Sequence, residues 1–295
     1  MKRIAGAMLA PVVLLALGLS EIAVCQDSPA GHMPPKVLVI TREYTKPGKS
    51  GTAHEKTESA FVKAVMQAKW PTHYIAVESL SGKNRALFLT GYESFAAWEK
   101  DTIATQKNAA LSAALDRAWA ADGELLSETD GGTFMLREEY SLHPEVDIAH
   151  TRYFEITRFQ VKQGHDKDWD DIVKLVTAAY KKVPDSHWAA YSGIYGNPDG
   201  TYLIFNPMKS LEEVDKNWAA NKDFEAAMGE EGMKKLSELS AAAIDSSQTN
   251  LFAINPRMSY PAEPWVKADP EFWKAKAPAA AAGAKKAAEK PAESH

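Results

Sequence analysis

The chain repeats itself, and the repeat constrains its fold more than any other feature. Ile40-Thr41-Arg42 recurs as Ile156-Thr157-Arg158, an offset of 156 minus 40, or 116. Lys46 and Gly48 recur as Lys162 and Gly164 at that offset, as do Ser94 and Thr133 as Ser210 and Thr249. His73 and Gly82 match His187 and Gly196 at 187 minus 73, or 114. The first long helices align at 111, with Phe61, Val62 and Val65 against Ile172, Val173 and Val176, so the loop before that helix differs in length. One order held across six segments means two copies of one module, which must fold alike.

Each copy reads strand, helix, strand, strand, helix, strand. In the second, residues 153–161 are rich in aromatic and branched side chains. Trp169, Ile172, Val173, Val176 and Tyr180 then fall at helical spacing. Asn197-Pro198-Asp199-Gly200 is a turn signal between two further strands, and Ser210 with Glu213 is a capping box opening the next helical region. The expected fold class is α+β: two tandem ferredoxin-like β-α-β-β-α-β repeats, at 36–141 and 152–260, joined by a linker at 142–151. An antiparallel sheet with both helices on one face leaves the other face bare, and a bare apolar face is unstable in water. The two sheets are therefore expected to pack on each other as an intramolecular dimeric α/β barrel, a pseudo-dimer within one chain, with a cavity between them. Residues 261–274 form a C-terminal extension.

The repeat order, the Ile-Thr-Arg strands and the Ser-Phe-Ala-Ala-Trp and Ser-Leu-Glu-Glu-Val helix starts resemble the dimeric α/β-barrel superfamily. Within it the chain is most similar to NIPSNAP-like and antibiotic-biosynthesis-monooxygenase-like members. The resemblance covers roughly residues 36–260 and implies a fold rather than a reaction. Relatives include cofactor-independent monooxygenases, haem-binding enzymes and proteins without a known reaction. No cofactor is predicted from the residues, and haem stays open.

Lys2 and Arg3 precede an apolar run over residues 4–19 that is interrupted by Pro11, and Ala23-Val24-Cys25 offers a cleavage site. Residues 1–25 therefore read as a signal peptide, and the protein as exported, periplasmic or secreted, with no stable membrane span after processing. Val24 stands where a lipoprotein signal takes Gly, Ala or Ser, so simple cleavage is preferred to lipid anchoring at Cys25. Cys25 is the only cysteine, so the mature chain has no disulfide, thiolate metal site or cysteine nucleophile. The net charge of -5 disfavours nucleic acid as a partner. Residues 275–295 hold only Ala, Lys, Pro, Glu, Gly, Ser and His, and read as a disordered tail.

His73 and His187 are catalytic candidates, because both copies place histidine ahead of the second strand with an aromatic residue after it; the bland reading is a cap on the preceding helix or a bond to a backbone carbonyl. Strand alternation sets Leu38, Ile40, Phe154 and Ile156 on the helix-packed face, which leaves Val39, Thr41, Glu155 and Thr157 facing the cavity. A carboxylate there has a raised pKa, so Glu155 is the candidate base. Tyr191 and Tyr202 are expected to share that cavity, and Arg42 and Arg158 to clamp an anion. Trp98, Trp169 and Trp218 lie on helical stripes and read as core anchors.

Sharper patterns fail. His54-Glu55-Lys56-Thr57-Glu58 has Glu58 where a zinc-protease helix has its second histidine, and so reads as a solvated helix start. Asp166, Asp168 and Asp170 lack the Gly and Glu of a calcium loop and read as an acidic first turn. No metal ligands are assigned. The functional expectation is a barrel binding a small, partly apolar molecule between its sheets; the alternatives are a cofactor-independent monooxygenase and a non-catalytic envelope protein.

Overall fold

The computed structural model describes residues 31–274, so the expected signal peptide and tail lie outside the described residues. In chain order the elements of the first half are β1 (Val37–Thr45), α1 (Thr52–Gln67), β2 (Tyr74–Ser79), β3 (Arg85–Tyr92), α2 (Phe95–Lys107), α3 (Ala109–Gly123) and β4 (Leu126–Leu136). The second half follows with β5 (Tyr153–Val161), α4 (Asp166–Tyr180), β6 (Ala189–Tyr195), β7 (Thr201–Met208), α5 (Glu212–Ala243) and β8 (Ile244–Ile254). Two short helices, α6 (Glu263–Ala268) and α7 (Pro270–Trp273), end the described chain.

The strands close into one antiparallel barrel in the order β1-β3-β2-β8-β5-β7-β6-β4. Each half supplies four neighbours, β4-β1-β3-β2 and β8-β5-β7-β6, and the halves meet at two seams. One seam sets Val77, Glu78 and Ser79 against Ile254, Ala253 and Phe252, and the other joins β4 to β6. Closure leaves no unpaired sheet edge.

Local chemistry sets the helix ends. Ser94 Oγ accepts from Ala97 N at 3.1 Å to cap α2, and Asn108 stops α2 while its side chain accepts from Leu111 N at 3.1 Å to start α3. The second half has one long helix, α5, broken only at Gly229, whose φ of 69° lies in the left-handed region. The expected capping box at Ser210 forms by half: Glu213 Oε1 accepts from Lys209 N at 2.8 Å, but the Ser210 side chain caps nothing.

The expected strand faces are inverted. Leu38, Ile40, Phe154 and Ile156 point into the barrel, where they pack with Val77, Leu87, Leu89, Phe134, Leu203, Phe205, Phe252 and Ile254. Val39, Thr41, Glu155 and Thr157 alternate with them and lie on the helix side, where Val161 on the same strand packs with Trp169, Ile172 and Val173 of α4. Both faces of β1 are apolar because both are covered, so alternation alone does not say which face is inner. The interior between the sheets is a packed core rather than an open cavity: Phe134 and Phe252 are 0% and 2% exposed at its centre. Trp169 is the core anchor expected, but Trp218 is 79% exposed and anchors nothing.

One end of the barrel is plugged. Trp265, Val266, Phe272 and Trp273 from α6 and α7 pack on the interior cluster. Trp273 Nε1 donates to the Ala149 carbonyl at 3.0 Å, and Arg152 pairs with Asp269 while its guanidinium lies 3.9 Å over the Phe272 ring.

The halves match more closely than the sequence offsets imply. Ala76 N donates to Ser259 Oγ at 2.9 Å, and Ala190 N donates to Ser141 Oγ at the same distance. Each serine in turn donates to a carbonyl four residues earlier, Asn255 or Arg137. The serine offset is 259 minus 141, or 118. The registers agree, pairing Val39 with Thr133 and Glu155 with Leu251, again 251 minus 133, or 118. Thr133 therefore corresponds to Leu251, and its apparent match to Thr249 is out by two residues.

Candidate metal centre

Four ionisable side chains from three elements meet on the helix side of the first half. Glu43 projects from β1, His54 and Glu58 stand one turn apart on α1, and Asp122 comes from the last turn of α3. Spacing of i and i+4 puts both α1 residues on one face. That face is turned to the sheet, so the expected solvated helix start is instead buried. His54, Glu43, Glu58 and Asp122 are 1%, 2%, 3% and 0% exposed.

His54 Nε2 lies 3.0 Å from Glu43 Oε2, 3.6 Å from Asp122 Oδ1 and 4.0 Å from Glu58 Oε1. One donor atom from each residue falls within 4.8 Å of all the others. Four donors held tetrahedrally at about 2.1 Å from one ion would be separated by about 3.4 Å; the three distances from His54 bracket that value, and the widest separation in the cluster is within 4.8 Å. Thr57 donates to Asp122 Oδ1 and fixes that carboxylate.

The electrostatics are costly as they stand. Burial, then the charges of Glu43 and Asp122, push the Glu58 carboxyl up to about 10. Burial also raises Glu43, against the opposing bond from His54. Burial alone would lower His54, but the bond to Glu43 and the Asp122 charge outweigh it and its pKa is raised. Glu58 Oε1 and Asp122 Oδ2 have no hydrogen-bond partner, and neither does the Tyr74 hydroxyl, whose own pKa is raised by burial and by the Glu58 and Glu43 charges. Asp122 also sits at the negative end of α3, the wrong end for a carboxylate.

The second half shows that the frame does not need these charges. Glu43 lies between Ala86 and Thr129 on its neighbouring strands, and Phe159 lies between Tyr202 and Ser247. At that place Trp169 stacks on Tyr202 at 4.8 Å and packs on Phe159 at 5.2 Å. One half fills the position with aromatic rings and the other with three carboxylates and an imidazole.

The residues expected to form a site do not converge. His73 and His187 precede β2 and β6, which stand opposite each other around the barrel. His73 packs on the Tyr260 ring at 4.6 Å, its Nδ1 is unpartnered, and burial lowers its pKa. His187 holds its two ring nitrogens 2.8 Å and 2.9 Å from the Asp185 and Pro207 carbonyls, a tie between loop and strand. Glu155 does have a pKa raised by burial, but it faces the helices beside Tyr180 rather than a cavity. Tyr191 is in the barrel core, donating to the Pro35 carbonyl at 2.9 Å, whereas Tyr202 is on the helix side, so the two share nothing. Thr157 Oγ1 meets Thr249 Oγ1 at 2.9 Å across the strands, and Thr41 carries no hydrogen bond that would mark it out. Arg42 and Arg158 do point inward, at the end opposite the α6–α7 plug, where Arg42 pairs with Asp130 and Arg158 donates to Gln160 Oε1.

No motif marked the cluster, because Glu43 and Asp122 flank the His54–Glu58 pair at 11 and 64 residues and meet it only through packing: 54 minus 43, and 122 minus 58.

No protein-family model matches the chain, and no curated protein matches it. Solved structures do. An anthrone oxidase-like protein aligns at 16% identity with a TM-score of 0.50, over 75% of this chain and 92% of its own. A protein provisionally named a monooxygenase, from Fusobacterium nucleatum, aligns at 12% identity and a TM-score of 0.49, over 76% and 93%. Chlorite dismutase from Candidatus Nitrospira defluvii aligns at 10% and 0.44, over 79% and 95%. The fold, a closed eight-stranded antiparallel barrel with helices outside it, is consistent with a dimeric α/β barrel and is shared with the anthrone oxidase-like protein. At such identities the likeness is one of architecture and leaves the barrel's chemistry to its own residues.

Proposed function

We propose that the protein is a metal-binding α/β barrel whose first half holds one divalent first-row cation between Glu43, His54, Glu58 and Asp122. One observation carries the reading: in a centre sealed from solvent, three carboxylates and one imidazole set a donor atom each within 4.8 Å of one another, while Glu58 Oε1 and Asp122 Oδ2 have no hydrogen-bond partner. A divalent ion would satisfy both. One imidazole with three carboxylates suits manganese, iron or zinc better than the all-oxygen preference of calcium and magnesium. Sealing of all four ligands favours a structural ion, or one exchanging only electrons and protons, over a hydrolytic site with an open position.

The test is titration of chelator-treated protein with Mn²⁺ and Zn²⁺ and, under argon, Fe²⁺. One equivalent is expected to bind with release of a proton. At a hundredfold excess over Kd, binding adds about 2.7 kcal/mol, which raises Tm by roughly 5–10 °C in a domain of this size. His54→Ala and Asp122→Asn are expected to abolish that rise. Absence of any rise with all three ions overturns the proposal.

A second reading, oxygenase chemistry without a cofactor, draws on Glu155, whose carboxyl is raised by burial beside Tyr180. Oxygen uptake with an electron-rich phenol is then expected to fall at least tenfold in Glu155→Gln; uptake unchanged by that substitution ends this reading. We also infer that the halves are tandem ferredoxin-like copies of one module, which the paired serines and common strand offsets support. Kinship with the NIPSNAP-like group, and export, rest on the sequence patterns described above.

A further inference from the structure

We propose an oxyanion-binding site at the rim of the barrel, at the end opposite the α6–α7 plug, centred on Arg158, for a small organic carboxylate. The site is independent of the metal centre.

The registers place Arg42, Arg85 and Arg158 on the inner face of the barrel at one end. They differ in how they are neutralised. Arg42 stands opposite Asp130 on β4 and pairs with it. Arg158 stands at the equivalent position of the second half, opposite Gln248 on β8, which is Asp130 moved by 248 minus 130, or 118. An amide occupies the place of the carboxylate. Among the described residues no carboxylate lies within ion-pair distance of Arg158, whose one side-chain bond is to Gln160 Oε1 at 3.3 Å. Arg85 too has no carboxylate partner among the described residues: its guanidinium donates to the Lys83 carbonyl at 3.0 Å and lies 4.9 Å over the Phe252 ring, and burial, with repulsion from Arg42, lowers its pKa.

A carboxylate brought by a ligand would stand at Arg158 where Asp130 stands at Arg42. A guanidinium fork takes a planar carboxylate through two parallel hydrogen bonds. Gln248 offers an amide donor beside it. With the Asp130 carboxylate as the pattern at Arg42, a planar carboxylate fits this place better than a tetrahedral phosphate.

The experiment titrates the full chain with benzoate and, separately, inorganic phosphate, following arginine Nε–Hε signals by NMR. Benzoate is expected to shift the Arg158 signal saturably and to bind at least tenfold more tightly than phosphate. Gln248→Asp supplies the internal partner and is expected to weaken benzoate at least tenfold with Tm kept or raised; Arg158→Gln is expected to weaken it equally. The reciprocal change, Asp130→Gln, frees Arg42 and is expected to add a second benzoate. Benzoate that leaves Arg158 unshifted, or that binds Gln248→Asp as tightly as the parent, overturns the site, and so does phosphate binding as tightly as benzoate.

Discussion

At the scale of single residues, Glu58 is the group whose replacement says most. A carboxyl at its ordinary 4.5 in the unfolded chain and near 10 in the folded one keeps, in the native state only, a proton throughout that interval. Stability of the metal-free protein is thus fullest below the unfolded value and declines as pH rises toward the folded one, by about 1.4 kcal/mol per pH unit for one such proton. Glu43 and His54 are shifted in the same direction and add to the decline. Glu58→Gln cannot ionise, so urea melts from pH 5 to 9 without metal are expected to show a shallower fall than the parent; parallel curves would mean that Glu58 is ionised in the native state. The His54–Glu58 spacing was legible in the sequence, yet judged against a two-histidine pattern it looked one ligand short. Its missing partners come from β1 and α3, and no local spacing encodes them.

At the scale of elements, strands and helices were largely legible because their apolar periods are strong, as in α4. What alternation did not convey was the direction of each face. A strand covered on both sides carries apolar residues on both, and Val37, Leu38, Val39 and Ile40 give no sign of which pair is inside. The inversion sent Glu155 and Thr157 to the wrong side and Phe154 and Ile156 with them. The plug at the barrel end was legible only as an extension, since α6 and α7 are too short to show a period. Its indole is nonetheless a core residue: Trp273 is 6% exposed. Trp273→Ala is expected to cost about 3–5 kcal/mol in urea unfolding, the range for a buried aromatic. A loss below about 1 kcal/mol would mean that the plug rests on the barrel without holding it.

At the scale of the whole molecule, the recurring pattern in the sequence was the decisive clue, and it pointed to the barrel because an open sheet face needs a cover. The registers, 116 along β1 and β3, 114 along β2 and 118 from β4 onward, differ because the connections between these strands are of unequal length, so a single offset blurs the match. The same comparison of halves exposes where they part company: Glu43 against Phe159, and Asp130 against Gln248. Both differences lie in side chains on a common backbone, which is why neither was visible before the strands were set in register.

The seam between β2 and β8 has a bearing on synthesis. Val77 meets Ile254, 254 minus 77, or 177 residues later, and β8 is the last strand to leave the ribosome. Until it arrives, the rim of β2 has no neighbour, and Ile40, Val77, Leu87, Leu89 and Phe134 of the inner wall lack the second sheet that covers them. The nascent first half therefore carries an unpaired edge and a bare apolar sheet face until the second half is made, and both are surfaces on which a wrong partner can pair.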